Sequence, residues 1–125
     1  MRALLIAFLV AVPAFAAEEP EAVYAKFHKA GLEANFDEMR KWGSAAGAAE
    51  IAAMPAAQRQ EALKFLASML PKTYRLDRKS VEAARAILRV SSKQPQGTVY
   101  GVVTLIKEGG EWKVEEEKWG EPAPR

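Results

Sequence analysis

The sequence predicts an α+β fold, with helices in its first half and about four antiparallel strands in its second. Three observations carry this. Apolar residues recur at spacings of three and four between Glu21 and Leu70. From Thr73 onward the period drops to two, with a long β-branched run at Thr98–Ile106. Glu108-Gly109-Gly110-Glu111 reads as a tight hairpin, because adjacent glycines accept positive φ at both central positions. Elements segregated in this way pack as helices on one face of a sheet.

The chain opens with a leader. Met1-Arg2 is a short positive start, Ala3–Val12 is unbroken apolar, Pro13 breaks it, and Ala14-Phe15-Ala16 puts small residues where signal peptidase reads. The apolar run is too short to span a bilayer, which takes about 20 residues. Residues 1–16 are therefore expected to be a signal peptide cut between Ala16 and Ala17, which makes the protein exported, periplasmic or extracellular in a bacterial-type cell. About 109 residues remain, enough for one domain with its own core. That domain is expected over residues 17–121, with 122–125 as a frayed tail. No later segment is apolar enough to form a transmembrane span.

The first helix is expected over Glu21–Ala34, with Val23, Phe27, Ala30 and Ala34 as one apolar stripe and Tyr24 and His28 beside it. Asn35 then caps a short second helix, with Glu38 at capping-box spacing, Phe36, Met39 and Trp42 on its buried side, and Gly43 at its end. Ser44–Met54 reads as a weak helix or a loop. Pro55 opens a further helix whose apolar members are Leu63, Phe65, Leu66, Met69 and Leu70, and Pro71 stops it. Strands follow at Thr73–Arg78, Ala84–Val90, Thr98–Ile106 and Trp112–Trp119, with a turn at Gln94-Pro95-Gln96-Gly97.

Composition excludes several functions. With no cysteine, thiolate metal sites, cysteine nucleophiles and lipid anchoring at the cleavage site are excluded. A single histidine and scattered carboxylates offer no metal-ligand cluster, so no metal and no cofactor is expected. Losing Arg2 with the leader leaves basic and acidic residues nearly balanced, which argues against nucleic acid as a partner. Charge is nevertheless uneven. Between Lys72 and Lys93 seven basic residues face two acidic ones, whereas Lys107–Glu121 holds three basic and six acidic. A meander would put these toward opposite sides of the sheet, with Arg75, Arg85 and Arg89 as a surface patch.

Three stretches together resemble small secreted bacterial domains of the NTF2-like (SnoaL-like) superfamily. They are the helix leading into Ala34-Asn35-Phe36-Asp37-Glu38-Met39, the helix from Met54-Pro55 to Leu70-Pro71-Lys72, and the terminal hairpin from Gly97 through Lys107-Glu108-Gly109-Gly110-Glu111-Trp112-Lys113-Val114 to Trp119. The resemblance implies helices in the concave face of a curved sheet, with a conical cavity between them. It fixes no chemistry, because members include isomerases, dehydratases, cyclases and binding modules.

Enzymes of that superfamily carry an acid–base group deep in the cone, often with a tyrosine. Here that would be His28 with Tyr24, or with Tyr74 or Tyr100 approaching from the sheet. Against this, a single histidine without a carboxylate at a recognisable spacing reads first as a half-buried helical residue whose ring is solvated or bonded to backbone. Asp77, flanked by Arg75, Arg78 and Lys79, reads as half of a surface ion pair, and Glu115-Glu116-Glu117 as a solvated edge. Tyr24, Phe27, His28, Trp42, Phe65, Tyr74, Tyr100 and Trp112, with Phe36, would line an apolar ligand pocket or fill the core. For the ligand-binding reading the cone must hold a void of about 300 Å³ or more. The expectation is a non-enzymatic exported domain that binds a small apolar molecule in the cone or an envelope protein on the sheet. The alternatives are an isomerase-, dehydratase- or cyclase-type enzyme and an envelope-associated structural module acting through the arginine-rich strands. A second copy docking through the sheet is a further expected partner.

Overall fold

A computed structural model describes residues 18–123. The expected leader, its cleavage point and the last two residues lie outside these. Four helices come first, α1 (Pro20–Leu32), α2 (Phe36–Trp42), α3 (Ala45–Ala52) and α4 (Ala56–Met69). Four strands follow, β1 (Arg75–Val81), β2 (Arg85–Gln94), β3 (Gly97–Glu108) and β4 (Glu111–Glu121). The strands form one antiparallel meander in the order β1-β2-β3-β4. The α+β expectation holds, and the weak Ser44–Met54 segment is helical for most of its length.

Local chemistry sets the boundaries. Pro20 occupies the first turn of α1, where a missing N–H costs nothing. The helix ends two residues before the expected Ala34, because Ala34 adopts φ 51° and turns the chain. Asn35 then caps α2 by accepting from the Glu38 backbone N–H at 3.2 Å. Ser44 caps α3 in the same way, accepting from Gly47 at 3.2 Å. Between β3 and β4, Gly109 and Gly110 have φ of 60° and 81°, the conformation their pairing predicts.

Two apolar clusters hold the layers together. The larger joins Val23 and Tyr24 of α1 to Ala86, Leu88 and Val90 of β2, Val103 and Leu105 of β3, and Trp112 and Val114 of β4. The smaller joins Ala30, Met39 and Leu63, and Phe27 packs against both. Alternate residues of β2 point into the first cluster, so Arg85, Ile87 and Arg89 lie on the outer face.

α4 departs from expectation. Of its apolar members Leu63 is buried, but Phe65 and Met69 are 69% and 67% exposed. The helix packs chiefly on α1 and α3, and its Phe65 side is left open to solvent. Burial predicts unequal outcomes for two large apolar residues, buried Leu88 and exposed Phe65. Leu88→Ala should cost roughly 2–5 kcal/mol, whereas Phe65→Ala should stay within about 0.5 kcal/mol. Urea unfolding followed by tryptophan fluorescence measures both, and equal losses would contradict this packing.

Candidate functional site

The site depends on an irregularity in β4. Leu105 pairs with Val114, but Thr104 pairs with Glu116, so Glu115 is an extra residue in the ladder. The insertion reverses which side chains face inward. Before it, Trp112 and Val114 point into the core; after it, Glu117 lies opposite buried Val103, and Trp119 opposite Gly101. Gly101 has no side chain to obstruct the indole, and a Cβ there would sit 2.8 Å from the Trp119 ring. Glu117, expected in a solvated edge, is thereby turned to the helical side.

Its carboxylate is fixed from two directions. Tyr24 Oη donates to Glu117 Oε2 at 2.5 Å, and Trp119 Nε1 donates to the same oxygen at 2.9 Å. Oε1 has no hydrogen-bond partner among the described residues. Tyr24 is fully buried. Burial first, and the Glu117 charge second, push its hydroxyl far above the ordinary tyrosine value, so it remains a donor. The same two causes raise Tyr74.

The α2–α3 junction is tied to β4 and to the end of β3 beside this carboxylate. The Ser44 backbone N–H donates to Val114 O at 2.9 Å, the Ala45 N–H to Glu108 Oε1 at 3.1 Å, and Lys113 Nζ to Lys41 O at 2.6 Å. Between these elements lies a cavity of about 180 Å³. Phe27, Phe36, Met39, Ile51 and Val114 give it apolar walls, and Glu117 lines it with Arg40, Glu50, Glu115 and Glu116 on its polar side.

The expected aromatic set is divided. Tyr24, His28 and half-buried Tyr74 pack in tilted and edge-on contacts, with ring centroids 4.9–5.7 Å apart. Trp112 is buried in the core. These four do not line the cavity, because a domain this small uses them to close its centre. Phe27 and Phe36 do line it. Trp42 is half-buried beneath Lys26 and opens onto an outer groove. Tyr100 sits with Tyr74 beside a shallow surface groove, and Phe65 is out on α4.

His28 is buried, and its Nε2 lies 2.7 Å from the Pro71 carbonyl. A carbonyl only accepts, so Nε2–H donates and ties α1 to the end of α4. This is the backbone-bonded histidine of the structural reading. Arg75 pairs with Asp77 at 2.7 Å, as the sequence suggested. Hydrogen bonding to Ser91 and then to Arg75 holds the Asp77 carboxyl below its usual range. Arg85 and Arg89 are exposed on β2, Arg85 lying 3.9 Å from Glu115. Among the described residues no three potential ligands gather for a metal ion, and no helix is long and apolar enough to cross a membrane.

Sequence reasoning missed Glu117, Met39 of the wall, Ile51 and the Gly43–Gly47 floor. One signal pointed to Glu117. Trp112 and Trp119 are seven apart, an odd spacing that a regular strand puts on opposite faces, so burying both requires an insertion between them.

No family model matches the chain, and no curated protein does. Solved structures do. An NTF2-like protein of unknown function from Shewanella baltica aligns with TM-score 0.53 at 17% identity, over 83% of this chain and 92% of its own. A putative NTF2-like transpeptidase from Campylobacter jejuni aligns with TM-score 0.55 at 13% identity, over 79% of this chain and 99% of its own. A de novo designed protein with a curved β-sheet aligns with TM-score 0.52 at 13% identity, over 82% and 100%.

Linkage at Tyr24 gives a pH prediction. Its folded value is raised, so its contribution to stability is complete below about pH 10 and is lost as pH climbs above that, where the unfolded tyrosine ionises. Tyr24→Phe should cost about 1.5–3 kcal/mol near neutrality, yet lose less between pH 9 and about pH 11 than the parent does. Urea midpoints across that range test it, and parallel curves would refute the Tyr24–Glu117 assignment. With its helices packed against a curved antiparallel meander and matched over most of its length by such neighbours, the chain has the NTF2-like fold.

Proposed function

We propose that this chain is an exported, non-enzymatic binding domain that holds a small apolar ligand between α2, α3 and β4. The observation that carries the reading is the cavity with apolar walls beside an oriented carboxylate. Its 180 Å³ falls short of the roughly 300 Å³ that the sequence reading required of a ligand-binding cone. It is instead the scale at which an apolar cavity takes a single benzene-sized ring. Export is supported by the three-part layout of Met1–Ala16. An acid–base role for His28 has no such support, since its Nε2–H is spent on Pro71 and it lines no described cavity.

A second reading, self-association through the outer sheet face, has one specific observation in its favour. Arg78 lies directly opposite Arg89 across β1 and β2, a like-charge pair that destabilises an isolated sheet. Half-buried Ile87, Val102 and Ile106 lie beside it, and the acidic β4 is at the far edge. A second copy turned by two-fold symmetry would bring β4 glutamates to that basic edge.

Native mass spectrometry of protein purified from its own envelope tests the first reading. The polypeptide should have the mass of residues 17–125 and retain a small adduct, which Ile51→Trp should abolish by filling the cavity. An intact Met1 would refute export; an adduct that survives Ile51→Trp would refute the cavity. Sedimentation velocity tests the second reading, with a dimer expected at low salt and a monomer for Arg89→Glu. A parent that stays monomeric throughout would remove it.

A further inference from the structure

The cavity's polar side has a chemistry of its own, and the following step rests on the ligand-binding reading above. Two donors, Tyr24 Oη and Trp119 Nε1, converge on one oxygen of Glu117. Neither can exchange roles. Indole N–H is donor only, and the raised tyrosine keeps its proton. The carboxylate is therefore held in one orientation at the cavity wall, with Oε1 left for an outside donor. A ligand group meeting it must give a hydrogen bond.

The surrounding charge decides which donor is preferred. Glu50, Glu115 and Glu116 also line the cavity, against Arg40 as the one cation among the described residues that line it. Arg40 lies 3.9 Å from Asp37, so its charge is partly answered on α2 itself. Arg85 lies 3.9 Å from Glu115 and Lys118 3.8 Å from Glu116, long exposed pairs that neutralise weakly. Glu50 has no ion-pair partner among the described residues. A negative field over low-dielectric walls concentrates cations. The apolar walls of Phe27, Met39, Ile51 and Val114 then require a hydrocarbon body behind the charged head.

We propose that the ligand is a small protonated amine on a single ring or short alkyl chain, with its ammonium donating to Glu117 Oε1 and its body between Phe27 and Ile51. A neutral alcohol of the same shape makes a weaker hydrogen bond without the charge. A carboxylate of the same shape is repelled.

Isothermal titration of the full mature chain at pH 7 with 2-phenylethylamine, 2-phenylethanol and 3-phenylpropanoate separates these. The amine should bind about tenfold more tightly than the alcohol, and the carboxylate more weakly than either. Glu117→Gln should bring amine and alcohol to within about twofold of each other, and rising salt should weaken the amine alone. Should Glu117→Gln fail to fold, the three-ligand series and its salt dependence on the parent chain still decide. If the alcohol binds as tightly as the amine, the amine assignment falls and the cavity remains a binding site. If none of the three binds, the ligand-binding reading falls with it.

Discussion

One extra residue in β4 governs the interior of this domain. Trp112 and Val114 fill the base of the sheet's inner face, and Trp119 lies across Gly101 farther along. A strand of period two cannot face both tryptophans inward unless a residue is inserted between them, and Glu115 is that residue. The insertion turns Glu117 inward as well. A carboxylate directed at a core is costly unless it is hydrogen-bonded. Tyr24 and Trp119 meet that demand, one from the facing helix and one from the same strand. Helix position, strand register and a glycine opposite an indole are therefore parts of a single arrangement, and none can shift without the others.

The helix side shows the same economy. α1 turns Tyr24 and His28 inward, and each uses its polar atom to tie a different element. Tyr24 reaches β4, and His28 reaches the Pro71 carbonyl where the helical half of the chain ends. Lys79 adds a third tie, with its ammonium 3.1 Å from both Glu19 and Glu21 at the start of α1. Residues that look catalytic by type thus serve to seat the helix on the sheet. Their donors are engaged, their rings fill space, and the free polar valence is left on Glu117.

Much of the fold was legible in the sequence because its signals are local. Asn35, Gly43, the Gly109-Gly110 pair and the switch of period after Pro71 each act within a few residues, and each did what its chemistry predicts. Two matters were not local. The buried face of α1 is set by where the sheet lies, and a rotation that includes Tyr24 and His28 as well as Val23 and Phe27 leaves no mark in spacing alone. The bulge at Glu115 is set by pairing with β3, so the run Glu115-Glu116-Glu117 reads as uniform charge until the ladder is known. Phe65 and Met69 show the converse limit. Helical spacing marks them as one face, but only a partner element decides whether that face is covered.

Why a void exists at all follows from the same contacts. Gly43, Ser44, Gly47 and Ala48 form its floor, side chains too small to reach β4, and α3 contributes no buried residue to the core. Collapse would be the expected response to such a gap, since unfilled volume forfeits dispersion contacts along its walls. Three ties prevent it. Ser44 N–H to Val114 O joins backbone to backbone, and the Glu108 carboxylate of β3 and the Lys113 ammonium of β4 each bond a backbone atom of the α2–α3 junction, so the three together set its distance from the sheet. Replacing small residues with large ones would fill the space without moving the frame. The hollow is a property of that frame, and its one oriented acceptor is a property of the bulge beside it.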